Sequence, residues 1–295
     1  MPNAINYAEK YQDELDQLFV QEALTNDLET PRVNWMGART FQVPSLTVSG
    51  YKNHSRNGGY NRGDVEVTHE PYTLGFDRDV EFFVDQMDVD ESNQAASASN
   101  VTGEFLRSEG YPEVDAYRFS KLATRAIDEG NNTPEDLTSA DALQSLRRDI
   151  KALRKYGTAN LIAYVSSDVM DAVADWKADK GGVSLQNENT TVETRVTVVD
   201  GVRLKEVFDL DRFHTSFDFT SGFTPAVGSY PINHLIVNKG AQVSKKKLNS
   251  IYLHEPGNHT EGDGYLYQNR LYHDTFVLKN QADGIRVSHG TTAQA

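Results

Sequence analysis

The chain has 295 residues, room for one large or two moderate domains, and 38% of them are hydrophobic, enough for a real core and against wholesale disorder. Its net charge of −14 repels phosphate and so disfavours tight general binding to nucleic acid. Cysteine is absent, which excludes disulfides and thiolate metal sites and fits a reducing compartment; no run approaches the ~20 apolar residues needed to cross a bilayer, and the start MPNAINYAEK is not a secretory signal.

In chain order, residues 4–24 read as an amphipathic helix with Tyr11, Leu15, Leu18 and Leu24 near helical spacing. Periodicity then disappears to residue 38, with Pro31 and Gly37 as interruptions, so residues 1–40 read either as an extended arm or as a terminal segment packed on its own subunit. Strand-like residues Phe41, Val43 and Val48, then Val65, Val67, Tyr72 and Leu74, flank a polar centre in which Ser55–Asp64 carries three glycines and two asparagines. Residues 41–76 are therefore predicted to form a long two-stranded ribbon. Such a ribbon is marginal by itself in water, so it is expected to lie on a neighbour. The contact residues are Tyr51, Lys52, Asn53, His54, Arg56, Tyr60, Arg62, Val65, Val67 and His69.

Phe76–Met87 suggests a strand or a strand-to-helix junction, and Ser92–Glu109 a helix stopped by Gly110. Pro112–Ile127 is the clearest helix: Pro112 suits its first turn, Glu113 and Asp115 its positive end, and Ala116, Phe119, Ala123, Ala126 and Ile127 make one stripe. Asn131–Pro134 breaks the chain, with Thr133 as N-cap and Pro134 at the first helical position of a helix striped by Leu143, Leu146, Ile150 and Leu153. Arg147, Arg148, Lys151, Arg154 and Lys155 crowd its polar side and Gly157 ends it. Leu161–Val165 reads as a buried strand, Ser167 as the cap of a helix carrying Val169, Val173 and Trp176, and Asp200-Gly201 as a hairpin turn between two strands. A packed loop region follows over 208–230. His234–Val237 is a further strand, Leu271–Val287 the last ordered element, and the tail after Gly290 is too polar to pack. The class is α+β, without internal repeats.

No glycine-rich phosphate loop and no GxSxG elbow occurs. Asp85, Asp88, Asp90 and Glu91 offer oxygen ligands but lack the spacing of a calcium loop, and a solvated junction is preferred. His254 and His259 are five apart with Pro256-Gly257 between them, which excludes a zinc-binding helix; with Glu255, Glu261 and Asp263 they read as a polar surface loop. Lys245-Lys246-Lys247 reads as a contact to an acidic neighbour or as a solvated face. No catalytic, cofactor or metal residue is assigned.

Three stretches together, FDRDVEFFVDQMDVDES through NVTGEFLRSEGYPEVDAYRFSKLA (76–123), LIAYVSSDVMDAVAD (161–175) and LYHDTFVLKNQADGIRV (271–287), resemble the major capsid proteins of tailed bacteriophages with the Hong Kong 97-type fold. The resemblance spans most of the chain and rests on the order and spacing of elements. It implies an N-terminal arm (1–40), an extended loop (41–76) lying across an adjacent subunit, a peripheral domain (77–133 and 269–295) with a long spine helix, and an axial domain (134–268). It further implies a non-enzymatic subunit of an icosahedral virion, assembled in the host cytoplasm as pentamers and hexamers around double-stranded DNA. Its implied partners are copies of itself, a separate scaffolding protein, a portal and decoration proteins, with no cofactor and no membrane. A nanocompartment shell (an encapsulin) is the alternative, and a carboxylate-dependent metal enzyme a remote one.

Overall fold

The computed structural model describes residues 23–31, 33–37, 39–54, 58, 60–87, 98–179, 197–260 and 262–294. The helix expected over 4–24 therefore lies almost wholly outside the described residues. A short 3-10 turn, Leu24–Leu28, opens the described chain. Strands β1 (Thr40–Val48) and β2 (Val65–Thr73) then pair antiparallel as a ribbon, Thr40 opposite Thr73 and Val48 opposite Val65.

Strand β3 (Phe76–Asp85) alternates between half-buried and exposed residues, the mark of an element covered on one face. Helix α1 (Ala98–Phe105) does not stop at Gly110. It passes through a π turn, Leu106–Gly110, into helix α2 (Tyr111–Asp128). Gly110 keeps helical angles (φ −63°, ψ −49°), and buried Leu106 and Tyr111 hold the junction against β12 and β11, described below. Gly130, at φ +71°, ends α2 in the left-handed region glycine tolerates.

Residues 132–134, expected to cap a helix, form β4 (Asn132–Pro134) instead. Helix α3 (Ala142–Leu153) begins later, after a Thr138 turn in which Ala142 N donates to Thr138 O at 2.9 Å. Strand β5 (Leu161–Ser166) is buried throughout. At the start of helix α4 (Ser167–Asp179) the capping hydroxyl is that of Ser166, which accepts from Val169 N at 3.4 Å, while Ser167 Oγ donates to Val207 O. β6 (Val198–Val199) and β7 (Val202–Val207) make the predicted hairpin, with Asp200 at φ 50° and Gly201 at φ 82°. β8 (Phe217–Asp218) and β9 (Thr224–Pro225) form a small ladder. Then come β10 (Ile232–Asn238), the long antiparallel pair β11 (Gln242–His254) and β12 (Gly264–Val277), and β13 (Ile285–His289).

Two sheets organise these elements. One has six strands in the order β4-β13-β10-β5-β7-β6; the other has three, β11-β12-β3. Both faces of the six-stranded sheet are covered, which is why β5 reads as a continuous apolar run. Ile162 and Tyr164 meet Phe119, Leu122 and Ala126 of α2, whereas Leu161, Ala163 and Val165 meet Leu146 and Ile150 of α3 and Val169 and Val173 of α4. The first turn of α2 reaches the other sheet, where Tyr111 and Val114 pack on Ile251 and Tyr267. One helix thus joins the two sheets.

Strand pairing cuts across the expected domain limits. Residues 242–268, expected in the axial part, supply β11 and the first five residues of β12 beside β3. Strand β13, expected in the peripheral part, lies between β10 and β4, where Ile285 and Val287 fill the core under α2. The tail also packs: Gln294 exchanges backbone bonds with Gly228 and Ser229, and Thr291 N donates to Asp136.

Candidate interaction ribbon and its anchor

The ribbon's nine-residue strands span about 30 Å. Its base is fixed by aromatic packing. Phe41 is fully buried, with ring centroids 5.6 Å from Tyr72, 5.6 Å from Phe276 and 5.8 Å from Trp35. Tyr272 Oη donates to Leu74 O at 2.6 Å, Lys279 pairs with Glu70 at 3.3 Å, and Asn280 bonds Ser45. Burial then declines along the ribbon. Paired residues share a face, so Leu46, Val48, Val65 and Val67 form one apolar patch, and they are 63, 62, 67 and 55% exposed. Pro44, which lacks an N–H, is tolerated because each strand of a two-stranded ribbon keeps a free edge.

The tip is held by polar contacts within itself. Ser49 N donates to Asp64 O at 3.0 Å, Lys52 Nζ to Arg62 O at 3.0 Å, and Asn61 Nδ2 to Asn53 O at 2.8 Å. Tyr51 and Tyr60 stand fully exposed. Lys52, Asn53, His54, Arg62 and His69 are on the ribbon as expected, and Arg56 lies outside the described residues. Leu46 was not among the expected contacts; its signal is the period of two that runs Leu46, Val48 and, across the pair, Val65, Val67.

A second relationship was not legible. The described residues among 23–39 wrap their own subunit as a strap, so the described part of the arm packs in cis. Asp115, fully buried on α2, accepts from Leu24 N (2.9 Å), Thr25 N (3.0 Å) and Thr25 Oγ1 (2.6 Å). Arg118, also fully buried, donates to Thr25 O at 3.0 Å. Lys205 meets Asp27 at 2.7 Å and Leu24 O at 3.0 Å. The lysine run is the outer half of this clasp. Lys245 Nζ donates to Thr30 O, Lys246 pairs with Glu29 at 3.5 Å, and Lys247 Nζ lies 3.9 Å from the Trp35 ring centre. The acidic neighbour of the run is therefore a segment of the same chain.

The remaining candidates stay apart. Asp85 accepts from Met87 N, while Asp88, Asp90 and Glu91 lie outside the described residues. His254 and His259 have ring centroids 6.5 Å apart in the β11–β12 turn, with His259 Nε2 2.7 Å from Gly264 O. No group of three or more potential metal ligands occurs among the described residues. The basic side of α3 is spent on internal ion pairs: Arg147 and Arg154 both reach Asp200, and Arg148 reaches Glu135. Among the described residues no helix is long and apolar enough to cross a membrane.

Neither a family model nor a curated protein matches the sequence. Solved structures do match in fold. The capsid structure of the cyanophage P-SCSP1u aligns with a TM-score of 0.60 at 12% identity, over 90% of this chain and 87% of that one. The mature capsid of bacteriophage PhiM1 gives 0.61 at 13%, over 86% and 82%. A virus-like particle from Pyrococcus furiosus gives 0.52 at 13%, over 96% and 99%. The α+β capsid fold expected from the resemblance is the fold found.

Proposed function

We propose that this chain is the structural subunit of an icosahedral phage head, a major capsid protein that assembles into pentamers and hexamers around double-stranded DNA. The carrying observation is the ribbon's uncovered apolar patch, in a fold that two solved phage capsids share over most of their length. This four-residue patch is left uncovered by the described residues of its own subunit; a second copy supplies a surface for it, and closed symmetry repeats the contact around the shell. In this reading α2 with β3, β11 and β12 is the peripheral domain, and the six-stranded sheet with α3 and α4 is the axial domain. The acidic surface suits a wall that encloses DNA without gripping it. A separate scaffolding protein, a portal and decoration proteins belong to the same reading, as does a place in the virion. No catalytic role is assigned to any residue.

The test is electron microscopy of the purified full chain beside a variant whose ribbon is cut back at the Pro44–His69 pair and closed by Asn-Gly. The full chain is expected to form closed shells and the shortened chain to stay a folded, soluble subunit. Closed shells from the shortened chain would sink the ribbon's role. The nanocompartment reading is supported by the 99% coverage of the Pyrococcus particle chain, against the lower TM-score of 0.52. Particle contents separate the two: packaged DNA in large shells supports the phage head, enzyme cargo in small ones the nanocompartment.

A further inference from the structure

Beneath the strap lie two cations, one carboxylate and a buried histidine. Lys246 and His273 are cross-strand partners on β11 and β12, so their side chains share the face that α2 covers. His273 is 1% exposed, set edge-on to Phe76 at 5.2 Å and Tyr117 at 5.2 Å. Neither of its ring nitrogens has a hydrogen-bond partner among the described residues. From α2 comes Arg118, whose Nη2 lies 3.8 Å from Glu29 Oε2; Lys246 Nζ lies 3.5 Å from the same oxygen. One carboxylate oxygen of the strap thus sits between two cations.

We propose that Glu29, Lys246, Arg118 and His273 form an acid-sensitive latch that holds the strap, and with it the root of the ribbon, against the three-stranded sheet. Among the described residues, the nearby carboxylates Asp115, Asp274 and Asp27 already hold partners. Asp115 serves Leu24, Thr25 and Arg212, and Asp274 accepts from Tyr117 Oη at 2.8 Å and Gly75 N at 2.9 Å. Asp27 is taken by Lys205. A proton on His273 therefore adds a cation to a space almost closed to solvent that already holds Arg118 and Lys246. Lifting residues 23–39 relieves this by letting solvent reach the ring. The strap continues into β1 through Trp35, which bridges Phe41, so its release loosens the ribbon's root.

The sign follows from burial. Desolvation, with Arg118 and Lys246 nearby, holds His273 well below its ordinary value of 6.5, so the latched form carries it neutral. The released form binds the proton more readily. The latch is therefore fully engaged above pH 6.5 and weakens as pH falls below it.

The cysteine-free chain permits a direct test. A nitroxide on Met36→Cys, in the strap, is expected to become mobile between pH 6.5 and 5 in the full chain, while one on Lys151→Cys in α3 keeps its spectrum. His273→Phe, which fills the same aromatic slot without a titrating group, is expected to abolish the transition. Glu29→Gln is expected to mobilise the Met36 label already at pH 7.5. Ring-nitrogen NMR of His273 in the otherwise unchanged chain gives a second reading, with protonation coinciding with release. The proposal fails if the strap label stays immobile at pH 5, if His273→Phe retains the transition, if the Lys151 label loosens at the same pH, or if His273 protonates while the strap stays in place.

Discussion

Asp115 and Arg118, one turn apart on the long helix, are both fully buried and both close on Thr25 of the strap: the carboxylate takes its N–H and hydroxyl, the guanidinium its carbonyl. A helix that otherwise carries apolar core residues thus presents a ready-made cradle for a passing backbone. Arg212 completes it at 3.3 Å from Asp115.

Removing one charge from that cradle strands the others. Asp115→Ala leaves Arg212, the Thr25 hydroxyl and two backbone N–H groups without their acceptor, so it is expected to lower unfolding stability by about 3–5 kcal/mol, measured by urea denaturation. Asp115→Asn, which keeps an acceptor oxygen, is expected to cost clearly less. A change within 0.5 kcal/mol for Asp115→Ala would mean that the strap contributes nothing to the fold.

The ribbon patch should behave in the opposite way. Leu46→Asp with Val67→Asp alters two residues more than half exposed, and surface substitutions of this kind stay within about 0.5 kcal/mol. Subunit stability is expected to be unchanged while shell formation, followed by light scattering and electron microscopy, is lost. Normal shells from this double variant would show that the patch is not a contact.

Acid should weaken the six-stranded half through Asp149. Burial alone would raise this carboxyl, but His234 Nε2 at 2.9 Å and Arg148 at 3.2 Å hold it below its usual 3.8. Arg286 adds an ion pair at 3.2 Å. A carboxylate depressed in the folded state stabilises at neutral pH and loses that contribution as pH falls from about 4 through its folded value. Asp149→Asn is expected to flatten the acid limb of the urea midpoint measured from pH 6 to 3, and to lower the midpoint at pH 6. An unchanged limb would place the acid sensitivity elsewhere.

Phe119 tests the shared core. It is fully buried under α2 with ring centroids 4.8 Å from Phe213 and 5.0 Å from Tyr164. Phe119→Ala is expected to cost about 3–5 kcal/mol, and Phe119→Leu about a third of that, both read by denaturation.

Much of the fold was legible because local rules and burial agree. The α2 stripe, the buried run of β5 and the Asp200-Gly201 turn are each set by spacing or by a backbone conformation few residues allow. Where a local signal met a tertiary competitor, the competitor won. Gly110 carries no intrinsic instruction to continue a helix, yet packing of Leu106 and Tyr111 carries α1 into α2 across it. Thr133-Pro134 has the chemistry of a helix start, yet the free edge of β13 takes it as a strand. The tri-lysine run announced only positive charge; which segment it holds depends on a strap more than two hundred residues away in sequence.

The α+β class, most of the core helices and strands, and a ribbon too polar at its tip to bury itself follow from the order of residues alone. These depend on period, turn chemistry and composition, which are local. Packing settles that the arm's described part folds back on its own helix, that β13 crosses to the larger sheet, and that the ribbon carries a bare apolar patch. Each of those depends on which distant surface remains uncovered once the core has formed, a property of packing that no short stretch of sequence contains.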